Sequence, residues 1–206
     1  DELTITTNAT RLAQEAAGLY AAGIRRINVS LDSRDPDRFR TITRTGDVSR
    51  VLDGIAAAKA EGLRIKINMV ALAGFNEDEI APMAQWCAIE GHDLTLIETM
   101  PLGKIEDDRV DRYLPLDTVR DRLAERYTLI PLDVTSGGPA RYWQVAELGL
   151  RLGLITPLTH NFCADCNRVR LTAEGKLYMC LGQSDRRHSA EGRGENLRGV
   201  IVRRGE

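Results

Sequence analysis

The 206-residue chain has no apolar run approaching the roughly 18 residues a membrane-spanning helix needs, and no charged-then-apolar leader. Neither a membrane span nor an export signal is expected, and the cytoplasm is the expected compartment. An excess of charge of one sign is also missing. Its 28 basic and 30 acidic residues leave a net charge of −2, so no overall field argues for nucleic acid and charge-driven recognition must be local. Cysteine is scarce. Four in a chain of this size are too few for a disulfide scaffold, and a CxxC pair in a reducing compartment points to metal or redox chemistry. Internal repeats and low-complexity tracts are absent as well, whereas the apolar share of 43% can fill the core of a soluble globular protein.

What is present is an alternation of strand-like and helical stretches over residues 1–110. LTITTN precedes a helix from Thr10 to Ala22, RRINVSLD precedes a helix near Pro36, and RIKINMVAL and DLTLIETM complete the series. The segment Asp47 to Glu61 places Val48, Val51, Leu52, Ile55 and Ala58 on one helical face, with Gly62 as a left-handed stop. Asn76 and Glu79 read as a capping box for a helix that ends at Gly91. Crossovers of this length dictate parallel, right-handed strand connections. The fold class is therefore α/β.

Parallel strands buried on both faces should be almost continuously apolar, and these are not. Thr4, Thr6 and Asn8 alternate with Leu3, Ile5 and Thr7; Asn28, Ser30 and Asp32 alternate with Ile27, Val29 and Leu31; Arg64, Lys66 and Asn68 alternate with Ile65, Ile67 and Met69. A greasy face against helices leaves a polar face lining a cavity, as in a wide or incompletely closed parallel βα-barrel. A half-solvated antiparallel sheet is the alternative, and the intervening helices oppose it. Residues 111–206 then read as a second, β-rich part. It holds a helix from Asp117 to Arg126, the runs YTLIPLD and YWQVAELGLRLGLITP, and a cysteine hairpin. Its tail is helical, if anywhere, near Glu195 to Arg203.

Reactive groups of βα-barrels sit at the carboxyl ends of the strands. That selects Thr6, Asn8, Ser30, Asp32, Lys66, Asn68, Glu98 and Met100. Asn8 and Asp32 also suit turn starts, and Met100 suits a core. Lys66, between Ile65 and Ile67, is costly to bury without an anion, which is either a ligand or a structural partner such as Asp32 or Glu98.

In NFCADCNRVRLTAEGKLYMC, the runs RVRL and KLYMC flank a turn at Gly175, which folds Cys180 back opposite Arg168 and beside Cys163 and Cys166. Three thiolates so close repel one another unless a cation neutralises them. A structural zinc would take a fourth ligand from His160, His188 or Cys87, although Cys87 lies in an amphipathic helix and suits a core position. An iron–sulfur cluster would instead keep one iron open. Arg168 and Arg170 share strand parity with Cys166 and form a fork for phosphate or carboxylate; salt bridges to Glu174 or Asp165 are the plainer reading.

TTNA, RRINVSLD, KINMV, GFNEDEI, IETMPLG, GPARYW and GLITPLTHNFCADCNRVRLTAEGKLYMCL, in that order, resemble the GTP 3′,8-cyclase (MoaA) family of radical S-adenosylmethionine enzymes of molybdenum-cofactor biosynthesis. The resemblance covers nearly the whole chain. It implies a partial radical S-adenosylmethionine barrel over 1–110 and a cluster- and substrate-binding region over 111–206. The implied ligands of a carboxy-terminal [4Fe-4S] cluster are Cys163, Cys166 and Cys180, and the implied contacts to GTP are Thr6, Lys66, Arg168, Val169 and Arg170. Ser30 and Met100 match positions that contact S-adenosylmethionine. An electron donor and a homodimer are implied partners, and neither nucleic acid nor membrane is.

The chain departs from the family in lacking the CxxxCxYC motif of a second, amino-terminal [4Fe-4S] cluster, the glycine-rich strand that grips the methionyl amine, and the Gly-Gly tail. It is expected to be an internal piece of a longer parent that makes no radicals alone. Thr95 stands where some members carry arginine, and Ala9 where glycine follows TTN. Another radical enzyme acting on a peptide, or a zinc-stapled binding module, are the rival readings; the arginine pair and Lys66 favour a nucleotide.

Overall fold

The computed structural model describes residues 2–99, 112–134, 138–159, 170–172, 175–178 and 186–188. The first half runs β1 (Thr4–Thr7), α1 (Leu12–Ala21), β2 (Arg26–Ser30), α2 (Pro36–Thr43), α3 (Val48–Ala60), β3 (Arg64–Ala71), α4 (Ile80–Glu90) and β4 (Asp93–Glu98). Local chemistry sets these boundaries. Asp35 caps α2 by accepting from the backbone N–H groups of Asp37 and Arg38, and Pro36 occupies the first helical turn, where a missing N–H costs nothing. Asp47 caps α3 through Ser49 N–H, and Gly62 at φ 86 turns the chain into β3. Gly91 at φ 70 ends α4 in the left-handed region.

Strands β1 to β4 pair in parallel in chain order, as the alternation required. After α5 (Leu116–Ala124), the strands β5 (Leu129–Leu132), β6 (Arg141–Val145) and β7 (Leu150–Ile155) do not start a separate sheet. β7 lies parallel to β4, and β6 and β5 follow antiparallel, giving one seven-stranded sheet in the order β1-β2-β3-β4-β7-β6-β5. The fold is α/β, a partial parallel βα-barrel with an antiparallel extension, and the sheet continues across residue 110. No described helix is long and apolar enough to cross a membrane.

The helix-facing side of the sheet carries the core. Ile27, Val29, Ile67, Met69, Leu94, Leu96, Leu152 and Leu154 are fully buried and join Leu12, Ala16, Val51, Ile55, Ala58, Met83 and Ala84 from the helices. Alternate residues of each strand thus enter one apolar layer, the main favourable term in folding. Cys87 belongs to that layer. Burial pushes its thiol up to about 12, which suits a core residue and not a thiolate ligand.

The expected hairpin is present as β8 (Arg170–Leu171) and β9 (Lys176–Tyr178), antiparallel around Gly175 at φ 77. Arg170 pairs with Tyr178, the register that the Gly175 turn requires. Cys180 and Arg168, the expected facing pair, lie outside the described residues. A third strand, β10 (Arg186–His188), pairs antiparallel with β9; the sequence reading left this tail segment without a strand. The expected helix near 195–203 lies outside the described residues.

Candidate functional site

Register converts the polar face into layers. Thr6, Asn28, Lys66 and Asp93 are successive cross-strand partners. Two residues further toward the carboxyl ends, Ser30, Asn68, Thr95, Gly153 and Tyr142 form a second row, crossing from β2 to β6. Because side chains of paired residues share a face, each row is a line of polar groups on the side of the sheet away from the core.

This face is under-satisfied. Among the described residues Asn28 Oδ1, Asn68 Oδ1 and Thr95 Oγ1 are buried without a hydrogen-bond partner, although Asn28 Nδ2 donates to Thr6 Oγ1 at 3.3 Å. Buried polar atoms are normally paired, so three orphans within two adjacent rows mark a surface that a polar ligand or ordered water completes. Thr6 and Ser30 are exposed on the same strands, next to that surface.

Lys66 is 9% exposed, and its ammonium donates to Tyr142 Oη at 3.5 Å. The structural partners expected from the sequence are not the ones observed. Asp32 Oδ1 accepts from Val70 N–H at 2.8 Å, at the mouth of the neighbouring strands. Glu98, 1% exposed, spends both carboxylate oxygens on the second half of the chain: Oε1 accepts from Leu116 N–H at 3.1 Å and Thr159 Oγ1 at 2.6 Å, and Oε2 from Leu158 N–H at 3.1 Å and Thr159 N–H at 3.3 Å. Among the described residues no carboxylate is within ion-pair distance of Lys66. Among those residues, then, no negative charge neutralises it.

Tyr142 reaches Lys66 because residue 153 is glycine. A Cβ there would stand 2.9 Å from both Thr95 Oγ1 and Tyr142 Cε1, so only glycine lets the phenol ring lie over β7. Thr95 itself is fully buried, with its Oγ1 beside the same Gly153 backbone. Sequence reasoning missed Asn28 and Tyr142 as site residues. Parity with Lys66 could have suggested Asn28; Tyr142 depends on a strand pairing that no local pattern encodes.

The carboxyl ends are clasped by Asn76, and here the capping-box expectation fails. The Asn76 side chain makes no cap bond; it donates to Asp32 O at 2.7 Å and Val70 O at 2.9 Å and accepts from Leu72 N–H at 2.8 Å. Glu79 turns instead to Ser33 Oγ at 2.7 Å and Arg34 N–H at 3.0 Å, and Arg38 bridges both Asp78 and Glu79. The Asn76 amide finds two carbonyl acceptors and a backbone donor across the strand ends, and the Glu79 carboxylate finds a hydroxyl and a backbone N–H there, and those contacts win over the helix terminus. Asn8 keeps its turn role, its Oδ1 accepting from Thr10 N–H at 3.2 Å and Thr10 Oγ1 at 2.9 Å. Ala9 follows at φ 59, the left-handed region that favours glycine.

A cavity of about 360 Å³ lies toward the amino ends of β4 and β7, lined by Gly91, His92, Asp93, Arg151 and Gln144 among others. Asp93 and Arg151 pair with each other there. Burial holds the His92 imidazole below its ordinary value of 6.5, with nearby Lys59 acting in the same direction and Glu90 and Asp93 opposing it.

Met100, His160, Cys163, Cys166, Arg168, Val169 and Cys180 lie outside the described residues, and Arg170 and His188 are placed only by their strands. Among the described residues no group of three His, Cys, Asp or Glu side chains could hold a metal.

Comparison with known proteins bears on both halves of the chain. Residues 1–87 match the family model of the Radical SAM superfamily, and residues 92–193 match that of Molybdenum Cofactor Synthesis C. A protein of Paracoccus denitrificans (strain Pd 1222) named GTP 3′,8-cyclase is 59% identical over 187 residues, covering 90% of this chain and 54% of that protein. One of the same name from Rhizobium meliloti (strain 1021) is 60% identical over 185 residues, covering 90% and 53%. A third, from Brucella suis biovar 1 (strain 1330), is 59% identical over 185 residues, covering 90% and 54%. The chain spans about half the length of the curated relatives it matches. With both family models matched in order and such identity throughout, the chain belongs to the GTP 3′,8-cyclase family of radical S-adenosylmethionine proteins.

Proposed function

We propose that this chain is part of a cytoplasmic GTP 3′,8-cyclase, which converts GTP to (8S)-3′,8-cyclo-7,8-dihydroguanosine 5′-triphosphate in molybdenum-cofactor biosynthesis. The observation that carries the reading is Lys66. It is a buried ammonium without a carboxylate partner among the described residues, set in a polar face with three unpaired oxygens. A cation held that way is ready for a polyanion and costs least when one is bound.

In this reading Thr6, Lys66, Arg168, Val169 and Arg170 contact GTP, Ser30 and Met100 contact S-adenosylmethionine, and Cys163, Cys166 and Cys180 hold a [4Fe-4S] cluster. S-adenosylmethionine, with a second cluster whose CxxxCxYC ligand motif is not in this sequence, would supply the one-electron chemistry needed at the ribose. The chain's own contribution is placement. Lys66 neutralises phosphate charge in a water-poor layer, where its attraction is stronger than at the surface. Asn28, Asn68 and Thr95 offer oxygens to donors on the ligand, and the rigid sheet keeps the ribose near the guanine C8 it must join. Residues 1–110 form the barrel part and 111–206 the cluster and substrate part. An external electron donor and a homodimer complete the proposed assembly.

The test is anaerobic reconstitution of the holoenzyme followed by EPR with and without GTP. GTP is expected to change the spectrum of the carboxy-terminal cluster, and Arg168→Ala to weaken that change with iron content intact. Stoichiometric zinc without iron uptake, or a spectrum indifferent to GTP, overturns the reading.

A further inference from the structure

Lysine is a poor choice for a fixed buried cation unless something holds its end, because four rotatable bonds separate the ammonium from the strand. A carboxylate would hold it and also cancel its charge. The structure uses neither Asp32 nor Glu98 for this, since both are engaged by backbone N–H groups. What meets the ammonium is a phenol: Tyr142 Oη, at 3.5 Å, brought from β6 across the glycine gap at 153. A neutral acceptor engages one of the three ammonium N–H groups and leaves the positive charge and two donors for a ligand.

Other features fit this role. Tyr142 is 5% exposed, its ring edge lies so near the Gly153 backbone that a Cβ there would stand 2.9 Å from Cε1, and the Arg151 guanidinium lies 5.7 Å from its centroid. The nearest carboxylate in the Lys66 row, Asp93, is tied to Arg151 and so kept from the ammonium. Lys66 thus has a rigid, uncharged guide, contributed by the part of the chain beyond residue 110.

We propose that Tyr142 is a positioning residue for Lys66, fixing its ammonium for the phosphate groups of the nucleotide without neutralising it. The inference rests on the proposed nucleotide-binding role of Lys66 and adds to it the residue through which the second half of the chain controls that role.

The test is a double-mutant cycle on GTP affinity in the anaerobically reconstituted holoenzyme, read by titration calorimetry alongside the GTP KM and the S-adenosylmethionine KM. Tyr142→Phe keeps the ring and deletes the acceptor. It is expected to weaken GTP binding by about tenfold, the scale of one hydrogen bond to a charged group, with S-adenosylmethionine KM unchanged. In the Lys66→Ala background the same substitution is expected to have no further effect. Gly153→Ala, which pushes the ring, should reproduce the Tyr142→Phe loss in the wild-type background and add nothing when Lys66 is alanine. If Lys66→Ala weakens GTP but Tyr142→Phe does not, or if Tyr142→Phe weakens it equally in both backgrounds, the positioning role is overturned while the nucleotide reading stands. If Lys66→Ala leaves GTP binding intact, the nucleotide-binding role of Lys66 falls and this inference with it.

Discussion

Replacing Glu98 by alanine should be among the most damaging single changes outside the apolar core. Its carboxylate is 1% exposed and collects four hydrogen bonds from two segments, 116 and 158–159. Truncation leaves the backbone N–H groups of Leu116, Leu158 and Thr159 without their acceptor, at about 1–3 kcal/mol for each that stays buried and unpaired. Relief of the desolvated charge and entry of water offset part of this, so the net loss is about 3–5 kcal/mol, the range for breaking a buried charged network. With a urea slope of about 2 kcal/mol per M, the midpoint should fall by about 1.5–2.5 M at unchanged slope. Glu98→Gln keeps one acceptor oxygen but turns an amide N–H toward donors, and should fall between wild type and alanine. The assay is equilibrium urea denaturation followed by far-ultraviolet circular dichroism. A midpoint shift below about 0.3 M for Glu98→Ala would refute the claim that this carboxylate ties β4 to the second half.

Gly54→Ala places a Cβ 2.7 Å from Ala9 O and should cost about 1–3 kcal/mol by prising α1 from α3, whereas Gly18→Ala, with nothing within 4 Å, should stabilise by about 0.5–1 kcal/mol; thermal melts of the pair check both. His92, held below its ordinary 6.5, makes the protein more stable above that pH than below it. The unfolded chain takes up the proton first as pH falls, so stability should decline below about 6.5 by at most about 1.4 kcal/mol per pH unit. His92→Phe should flatten that slope in denaturation series from pH 7 to pH 5, and an unchanged slope would assign it to other groups. Cys87, buried with its thiol pushed up to about 12, should resist alkylation by iodoacetamide at pH 8 until denaturant is added; rapid native labelling would contradict its place in the core.

Much of the first half was legible because its signals are local. Alternation along β1 to β3, helices starting near Pro36 and at Asp47, and glycine stops at 62 and 91 each depend on a few neighbouring residues, and the structure reproduces them. The GFNEDEI segment misled for the opposite reason. Asn76 and Glu79 have capping-box spacing, yet Asp32, Ser33 and Arg34, some 40 residues earlier, supply their partners. Thr6, Ser30, Asn68 and Glu98 became candidates through their place toward the carboxyl ends of the strands, and that rule cannot separate a lining residue from Glu98, which the structure makes a tie between segments.

The sequence by itself determined the parallel strand–helix alternation, the two-faced strands, the hairpin at Gly175 and the family, since each is written in spacing or in motif order. Tertiary structure alone decided that β7 inserts beside β4, and so that Tyr142, not Asp32 or Glu98, meets Lys66. A strand's partner depends on which edge remains open once its neighbours have paired, and no residue within that strand carries this information.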